Sequence, residues 1–392
     1  MERGASPTRW ADPAAPDFLP GLELSRALYE EGVRPLLDGI PHAAARVGAG
    51  SEVLGLDTAR STDHDWGPRF QLFLPGDNAR VRALLEKGLP RRVRGWPTRY
   101  ESAPGDPGVH RLADGPGGRH LVDVVEPGAW FTEWLGFDPN TGVTTTDWLA
   151  TPTQRLAGAV GGAVFHDGVG ELTAARRSLR WYPADVWRHV LACQWQRVAQ
   201  EEPFVGRCVE AGDELGARVV AARLVRDLMR LCLLLARRYP PYSKWLGSAF
   251  SLLPEAAEVG PVLRRALAVP DPQHALAQAY RLVAAWQNRT GLAEELSPEP
   301  RRFHTRPYLV LDAARYSRAL LARVEDPDLA ARPLVGAVDQ FVDSTDALER
   351  VGLVRNVARA VVGPGSEQVP HVSPKDRRPG GEPRQTNAEE AP

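Results

Sequence analysis

The stretch Val47-Gly-Ala-Gly-Ser51, followed after a spacer by Asp63-His-Asp65, decides the predicted fold. The small apolar run Ala44–Gly48 predicts a short strand that ends in a tight Gly-Ser turn. Eleven residues separate Ser51 from Asp63, and a second strand is predicted through Phe70–Leu74. Side chains alternate along a strand, so the carboxylates of Asp63 and Asp65 are expected to project from one strand face.

This arrangement predicts a phosphate site that depends on a divalent cation. Two carboxylates on one face repel each other unless a cation joins them, and hard oxygen ligands suit Mg²⁺ or Mn²⁺. Gly50 would let the backbone approach a triphosphate closely, and the amide at Ser51 could donate to its oxygens. Asp63-His-Asp65 precedes Trp-Gly-Pro, however, and short polar residues in that position are also typical of a turn.

The Gly-Ser turn, the spacer and the acidic pair resemble the polymerase-β-like nucleotidyltransferases. More specifically, four blocks resemble DUF4037, an uncharacterised family of nucleotidyltransferase-like proteins. These blocks are Gly50–Asp57, Ser61–Arg69, Trp181–Trp187 and Tyr239–Trp245. The resemblance covers roughly residues 20–360 and implies a third carboxylate on a later strand. That carboxylate falls on Asp123, within Leu121–Val125, with Glu126 as the alternative on the opposite strand face.

The resemblance implies an enzyme that moves an NMP from an NTP to a hydroxyl of a small, antibiotic-like acceptor. Asp63, Asp65 and Asp123 would be its catalytic metal ligands, holding Mg²⁺ or Mn²⁺ in a two-metal mechanism. Transfer to RNA or to a protein is a variant of this hypothesis. The alternative is a weak or inactive nucleotide-binding or scaffold protein that retains the fold. Pro68 supports the alternative, because proline cannot donate to a strand ladder.

Two basic residues are candidates for the NTP phosphates. Arg69 follows the acidic pair and could contact phosphate or pair with Asp65. Lys244 is one of only three lysines among 48 basic residues. It could reach the triphosphate as a compact charge across an interdomain cleft, or it could be a solvated helix residue.

Several other polar and aromatic residues have a structural interpretation that we favour over a functional one. His64 is expected to have a packing or surface role rather than to bind a metal, Asp213 is expected as a helix N-cap, and His166–Asp167 are expected away from the cleft. Aromatic residues at helical spacing are expected in the core rather than on a nucleobase. They are Tyr182, Trp187, Trp195 and Trp245.

The predicted fold class is an α/β (α+β) nucleotidyltransferase fold with a small mixed sheet at residues 19–160. An all-helical domain is predicted at residues 161–362, and disordered tails at residues 1–18 and 363–392, which are rich in Pro, Gly and charge. Asp77 is expected to cap a helix over Val81–Leu85. The later helices are predicted at Asp185–Gln200, Glu214–Arg238, Val262–Leu267, Pro272–Asn288, Pro307–Val324 and Pro333–Val361.

Composition limits the partners and the compartment. The formal net charge of -1 argues against a nucleic-acid partner, since polyanion binding needs clustered basic residues. The three cysteines include no Cys-x-x-Cys pair, which predicts neither disulfides nor a zinc site and favours the cytoplasm. The apolar run at Leu231–Ala236 is too short to span a bilayer, so no membrane partner is expected.

Overall fold

The computed structural model describes residues 16–76, 78–115 and 117–362. Its main sheet has four strands in the order β7-β2-β1-β8. Strand β1 is antiparallel to both β2 and β8, whereas β2 and β7 are parallel, so the sheet is mixed. The strands are β1 Ala43–Arg46, β2 Phe70–Phe73, β3 Arg92–Val93, β4 Trp96–Pro97, β5 Arg99–Ala103, β6 Asp106–Ala113, β7 Val122–Val125, β8 Ala163–Asp167, β9 Arg301–Arg302 and β10 Leu309–Val310.

Helices surround this sheet and make up most of the chain after it. Short 3₁₀ segments at Glu52–Leu54 and Ala59–Asp63 connect β1 to β2. The α-helices are α1 Gly21–Ala27, α2 Ala79–Gly88, α3 Pro127–Leu135, α4 Thr145–Ala150, α5 Thr153–Val160, α6 Glu171–Ser178, α7 Ala184–Glu201, α8 Phe204–Glu210, α9 Glu214–Leu235, α10 Ser243–Ser251, α11 Ala256–Ala268, α12 Gln273–Arg289, α13 Ala314–Leu321, α14 Pro327–Ala330, α15 Val338–Phe341, α16 Thr345–Leu348 and α17 Val351–Val362.

Strand β1 lies at the centre of the sheet, and its alanines are buried on both faces. Ala44 packs with Leu24, Leu28 and Phe70 in the core under the N-terminal helix. Ala43 and Ala45 face the other way, into a core that is continuous with the helical region. Small side chains on β1 allow both layers to pack closely against the strand. One face of the sheet therefore shares its apolar core with the helical region, and the other face packs on a separate core.

Helix α9 organises the helical region because its apolar side chains recur every three or four residues. Its N-terminus is capped by Asp213, whose Oδ1 accepts from the Gly216 amide at 2.8 Å, which confirms the predicted cap. The buried Asp227 of α9 forms an ion pair with Arg197 of α7 at 3.0 Å. Helices α7 and α9 are thereby held together by a buried charge pair as well as by apolar packing.

The predictions of a small mixed sheet and of a helical C-terminal region are confirmed. The prediction that residues 161–362 are all-helical is wrong in two places. Strand β8 pairs with β1 and belongs to the main sheet, and β9 and β10 form a small antiparallel pair. The single helix predicted over Pro333–Val361 is three short helices, because Ser344 begins a new one by accepting from the Ala347 amide.

Two further predictions concern the residues outside the described ranges and the membrane. Asp77 lies outside the described residues, as do residues 1–15 and 363–392 of the predicted tails. Among the helices that the structure describes, none has the length and apolar character that crossing a bilayer requires.

Candidate functional site

The loop after β1 is held in place by the buried side chain of Arg46, which is only 3% exposed. Its Nη1 donates to the Val47 carbonyl at 2.5 Å, and its Nη2 donates to the Ala49 carbonyl. The Arg46 Nε and Nη2 also donate to Glu52 Oε1, at 2.9 and 2.7 Å. One buried guanidinium therefore sets the path of the Gly-Ala-Gly loop.

Glu52 joins this arginine to a second one. Its side chain is 1% exposed, and Oε1 also accepts from Arg69 Nε at 3.1 Å and Nη2 at 3.0 Å. Burial by itself would raise the pKa of Glu52, but Arg46 and Arg69 outweigh it and hold that pKa below its ordinary value. Burial, together with Arg69, lowers the pKa of Arg46 to about 10. Two guanidiniums share one carboxylate, which leaves a net positive charge under the loop.

Gly50 is required by this charge cluster. Its φ is +142°, which L side chains rarely adopt. A Cβ at this position would lie 2.5 Å from Glu52 Oε2 and 2.6 Å from Arg46 Nη2. The absence of a side chain at Gly50 therefore leaves room for the internal ion pair.

A cavity of about 410 Å³ opens beside the loop. Its walls come from four separate parts of the chain, so only the folded sheet assembles it. Its charged wall residues are three arginines, which face a single carboxylate, and its apolar side includes two tryptophans of α3. The wall residues include Arg46, Ala49, Arg69, Gln71, Arg119, His120, Asp123, Trp130 and Trp134.

The strand register determines which side chains neighbour Asp123. Strands β2 and β7 are parallel, with Gln71 opposite Asp123, and Arg69 lies two positions before Gln71. Arg69 and Gln71 therefore lie on one side of β2, in the wall of the cavity. Desolvation by the surrounding protein raises the pKa of Asp123, with Arg82 acting against the shift and Glu133 adding to it. The positions beside Asp123 carry a guanidinium and an amide rather than two acids.

Asp63 and Asp65 do not lie on a strand, and the prediction that they share one strand face is wrong. Asp63 ends the 3₁₀ segment Ala59–Asp63 with its side chain 51% exposed, 3.0 Å from His64 Nδ1. Asp65 has a φ of +43° and precedes a buried Trp66 whose Nε1 donates to Asp57 at 2.9 Å. This anchor and the Gly-Pro that follows delay the strand until Phe70.

The three predicted metal ligands are not brought together. Of these three carboxylates only Asp123 lies in the cavity wall. Across residues 16–76, 78–115 and 117–362, no three His, Cys, Asp or Glu side chains form a group that could hold a metal ion. The arrangement does not fit a centre in which Asp63, Asp65 and Asp123 share Mg²⁺.

Asp65 is instead connected to the cavity through a histidine that the sequence analysis missed. Asp65 Oδ1 accepts from the His110 amide at 3.1 Å and lies 3.2 Å from His110 Nδ1. His110 Nε2 lies 2.7 Å from Arg119 Nη2. Because a guanidinium can only donate, Nε2 accepts and the proton resides on Nδ1, facing Asp65. Asp65 thus orients His110, and His110 positions Arg119 at the cavity.

The remaining predicted phosphate-binding residues are dispersed. Arg69 lies in the cavity wall, but its ion pair is with Glu52 rather than with Asp65. Ser51 precedes the 3₁₀ segment Glu52–Leu54 and is not part of the wall. Lys244 is exposed on α10, with its Nζ 4.9 Å from the centre of the Trp245 ring, and it is likewise not in the wall.

With the exception of Trp245, which was predicted in the core, the residues for which a structural interpretation was favoured take structural positions. His64 is half-exposed, and Tyr182, Trp187 and Trp195 are buried in the core. Trp245 is only partly buried. On β8, the His166 ring lies 4.6 Å from that of His42, and Asp167 accepts from the amides of Gly170 and Thr173. Glu126 caps α3 by accepting from the Ala129 amide at 2.6 Å.

Comparison with known proteins supports the family predicted for the helical part of the chain. Residues 148–246 match the family model described as Domain of unknown function (DUF4037). The DUF4037 segment runs from α4 into α10 and includes the Trp181–Trp187 and Tyr239–Trp245 blocks, so this part of the resemblance is confirmed. The blocks around Gly50 and Asp63 lie outside it. No curated protein matches the chain.

Proposed function

We infer that the chain is a nucleotide-binding protein whose cavity beside the Gly-Ala-Gly loop takes the phosphates of an NTP. The observation that carries this inference is the charge of the cavity wall. Arg46, Arg69 and Arg119 lie in the wall, whereas Asp123 is the one carboxylate among the wall residues and Glu52 is shared by Arg46 and Arg69. Arg46 contributes charge rather than hydrogen bonds, because its donors are bonded within the loop and to Glu52. A guanidinium donates two parallel hydrogen bonds to phosphate oxygens, which makes arginine the preferred residue for such an anion.

The shape of the cavity suits a nucleotide as well as its charge does. Its volume of about 410 Å³ lies within the range of small-molecule sites, about 300–1,000 Å³. Trp130 and Trp134 are stacked with their ring centres 5.9 Å apart and supply apolar surface to the same cavity wall. A base or a ribose would pack on this wall while the phosphates face the guanidiniums.

A nucleotidyltransferase-like fold is part of this proposal. A strand that leads into Gly50–Ser51, followed by a strand whose partner carries Asp123, agrees with the order of motifs in the nucleotidyltransferases. The side chains do not suit metal-dependent transfer, because Asp63 and Asp65 are not in the cavity wall that holds Asp123, and the described residues contain no group of three possible metal ligands. Binding without turnover, by arginines rather than by a bridging metal, is therefore the function that the geometry supports best.

Nucleotidyl transfer to a hydroxyl acceptor is the second candidate. It is favoured by one observation, the position of Asp123 in the same wall as Arg69 and Arg119. The two functions predict opposite effects of a single neutral substitution. An unliganded carboxylate repels phosphate, so Asp123→Asn should tighten ATP binding by about tenfold if arginines alone hold the phosphates. If Asp123 binds a cation, the same variant should weaken ATP binding in Mg²⁺ and stop pyrophosphate release.

The primary test is calorimetric titration of the purified chain with ATP and GTP, in Mg²⁺ and in EDTA. We expect binding that persists in EDTA and that falls by about tenfold in Arg119→Gln, the loss of one charge-assisted contact. Arg111→Gln is the matched control, since Arg111 is an exposed arginine on β6, eight residues before Arg119, and is not in the cavity wall. Equal affinity of the two variants for ATP would overturn the proposal.

A further inference from the structure

A second cavity, of about 220 Å³, lies where the 3₁₀ segment Glu52–Leu54 meets α9 and α10. Its walls share no residue with those of the phosphate cavity. Val53 and Leu54 form one side, Leu233 and Ala249 contribute another, and Leu252 lies at the edge with 55% of its surface exposed. The body of this cavity is apolar.

Its charge is one-sided. Arg180, Arg237 and Arg238 lie in the wall, and the wall contains no acidic residue. Within the part of the chain that the structure describes, no carboxylate lies within ion-pair distance of these three guanidiniums. The Arg237 guanidinium lies 4.5 Å from the centre of the Trp187 ring, whereas the side chains of Arg180 and Arg238 are exposed and make no contact of this kind.

The wall itself is held in place by other groups. Tyr239 contributes only its ring, because its hydroxyl donates to the Leu179 carbonyl at 2.9 Å. Arg176 Nη2 donates to the carbonyls of Val160 and Gly161 at 2.7 and 3.0 Å, which fixes that side of the wall. Arginine is the only wall residue type with a free hydrogen-bonding side chain, and it can only donate.

We propose that this cavity is a binding site for a small amphipathic anion, an organic carboxylate with a short apolar chain. The carboxylate would lie between Arg180 and Arg238 and accept from both, while the chain would lie against Val53, Leu233 and Leu252. An anion without an apolar part would leave the apolar surface of Val53, Leu233 and Leu252 exposed to water. A cation would be repelled by the three arginines. The volume, below about 300 Å³, selects a ligand smaller than a nucleotide.

The test uses hexanoate as the probe, with hexylammonium and inorganic phosphate as its matched opposites. Calorimetric titration of the full chain should give a dissociation constant of about 1 mM or lower for hexanoate. Hexylammonium and phosphate should bind at least about tenfold more weakly. Failure of hexanoate to bind in this range, or equal affinity for either of the other two, overturns the proposal.

Variants then locate the site. Arg180→Gln combined with Arg238→Gln should weaken hexanoate binding by at least about tenfold. The control combines Arg218→Gln with Arg264→Gln, two exposed arginines elsewhere on the helices, and should bind like the wild type. Leu252→Glu, at an exposed position, adds a negative charge at the edge and should also abolish binding. Hexanoate affinity that is the same in the Arg180/Arg238 variant and in its control overturns the assignment.

Discussion

The buried charge cluster under the Gly-Ala-Gly loop makes Glu52→Gln the most informative stability variant. Glutamine keeps the shape of the side chain but removes the charge that Arg46 and Arg69 share through four N–H···O contacts. Arg46 is 3% exposed, so water cannot replace the lost carboxylate. Removing one partner of a buried pair leaves an uncompensated charge, and we expect the free energy of unfolding to fall by about 3–5 kcal/mol.

Urea denaturation followed by circular dichroism near neutral pH measures this loss. Glu258→Gln is the control, because Glu258 is an exposed acid that makes no ion pair within the described residues. The pKa of Glu52 is lowered in the fold. Its stabilising contribution is therefore present above the ordinary pKa of a carboxyl and is lost as the pH falls through the lowered value. The difference between wild type and variant should shrink in acid.

The prediction fails in either of two ways. A loss below about 1 kcal/mol would mean that the pair behaves like an exposed salt bridge. A loss that does not depend on pH would mean that Glu52 acts through its shape rather than through its charge. Either result would also remove the reason for treating Arg46 and Arg69 as a preorganised pair at the cavity.

Three further outcomes are expected. Gly50→Ala should cost about 1–3 kcal/mol in urea denaturation because its Cβ meets the ion pair, more than Gly39→Ala, which has positive φ but open space. Burial raises the pKa of Glu202 from 4.5 to about 7, so the folded state favours the protonated carboxyl. The free energy of unfolding of the wild type should therefore fall by about 3 kcal/mol as the pH rises from 4.5 to about 7, and Glu202→Gln should lack this decrease. Asp63→Asn should leave the calorimetric ATP affinity unchanged, since Asp63 is exposed outside the cavity.

Local patterns predicted the elements of the sheet well. The apolar runs at residues 44–48, 70–74 and 121–125 correspond to β1, β2 and β7, within a few residues at each end. The helical spacing of apolar residues predicted α7, α9 and α12, also to within a few residues at each end. The five residues of β8 were predicted as part of the helical region because they lie between two helices in the chain. Only their pairing with β1 shows that they belong to the main sheet.

The conformation of Asp63 and Asp65 could not be predicted from the neighbouring sequence. Asp-x-Asp has the same spacing in a strand and in a turn, and the choice between them lies in distant partners. Asp65 adopts a positive φ because His110, 45 residues away on β6, accepts from its amide and donates to its carboxylate. Nothing within the motif carries that information. Pro68 was the one local sign that the strand starts later.

The arginine-lined cavity could not be predicted from the sequence for a related reason. A net charge of -1 over the whole chain argues against a basic surface, yet it says nothing about where the charges lie. Arg46, Arg69 and Arg119 are far apart in the chain and converge only because β1, β2 and the segment before β7 are neighbours in the sheet. A protein of balanced charge can therefore concentrate positive charge in one cleft, and the register of its sheet decides whether it does.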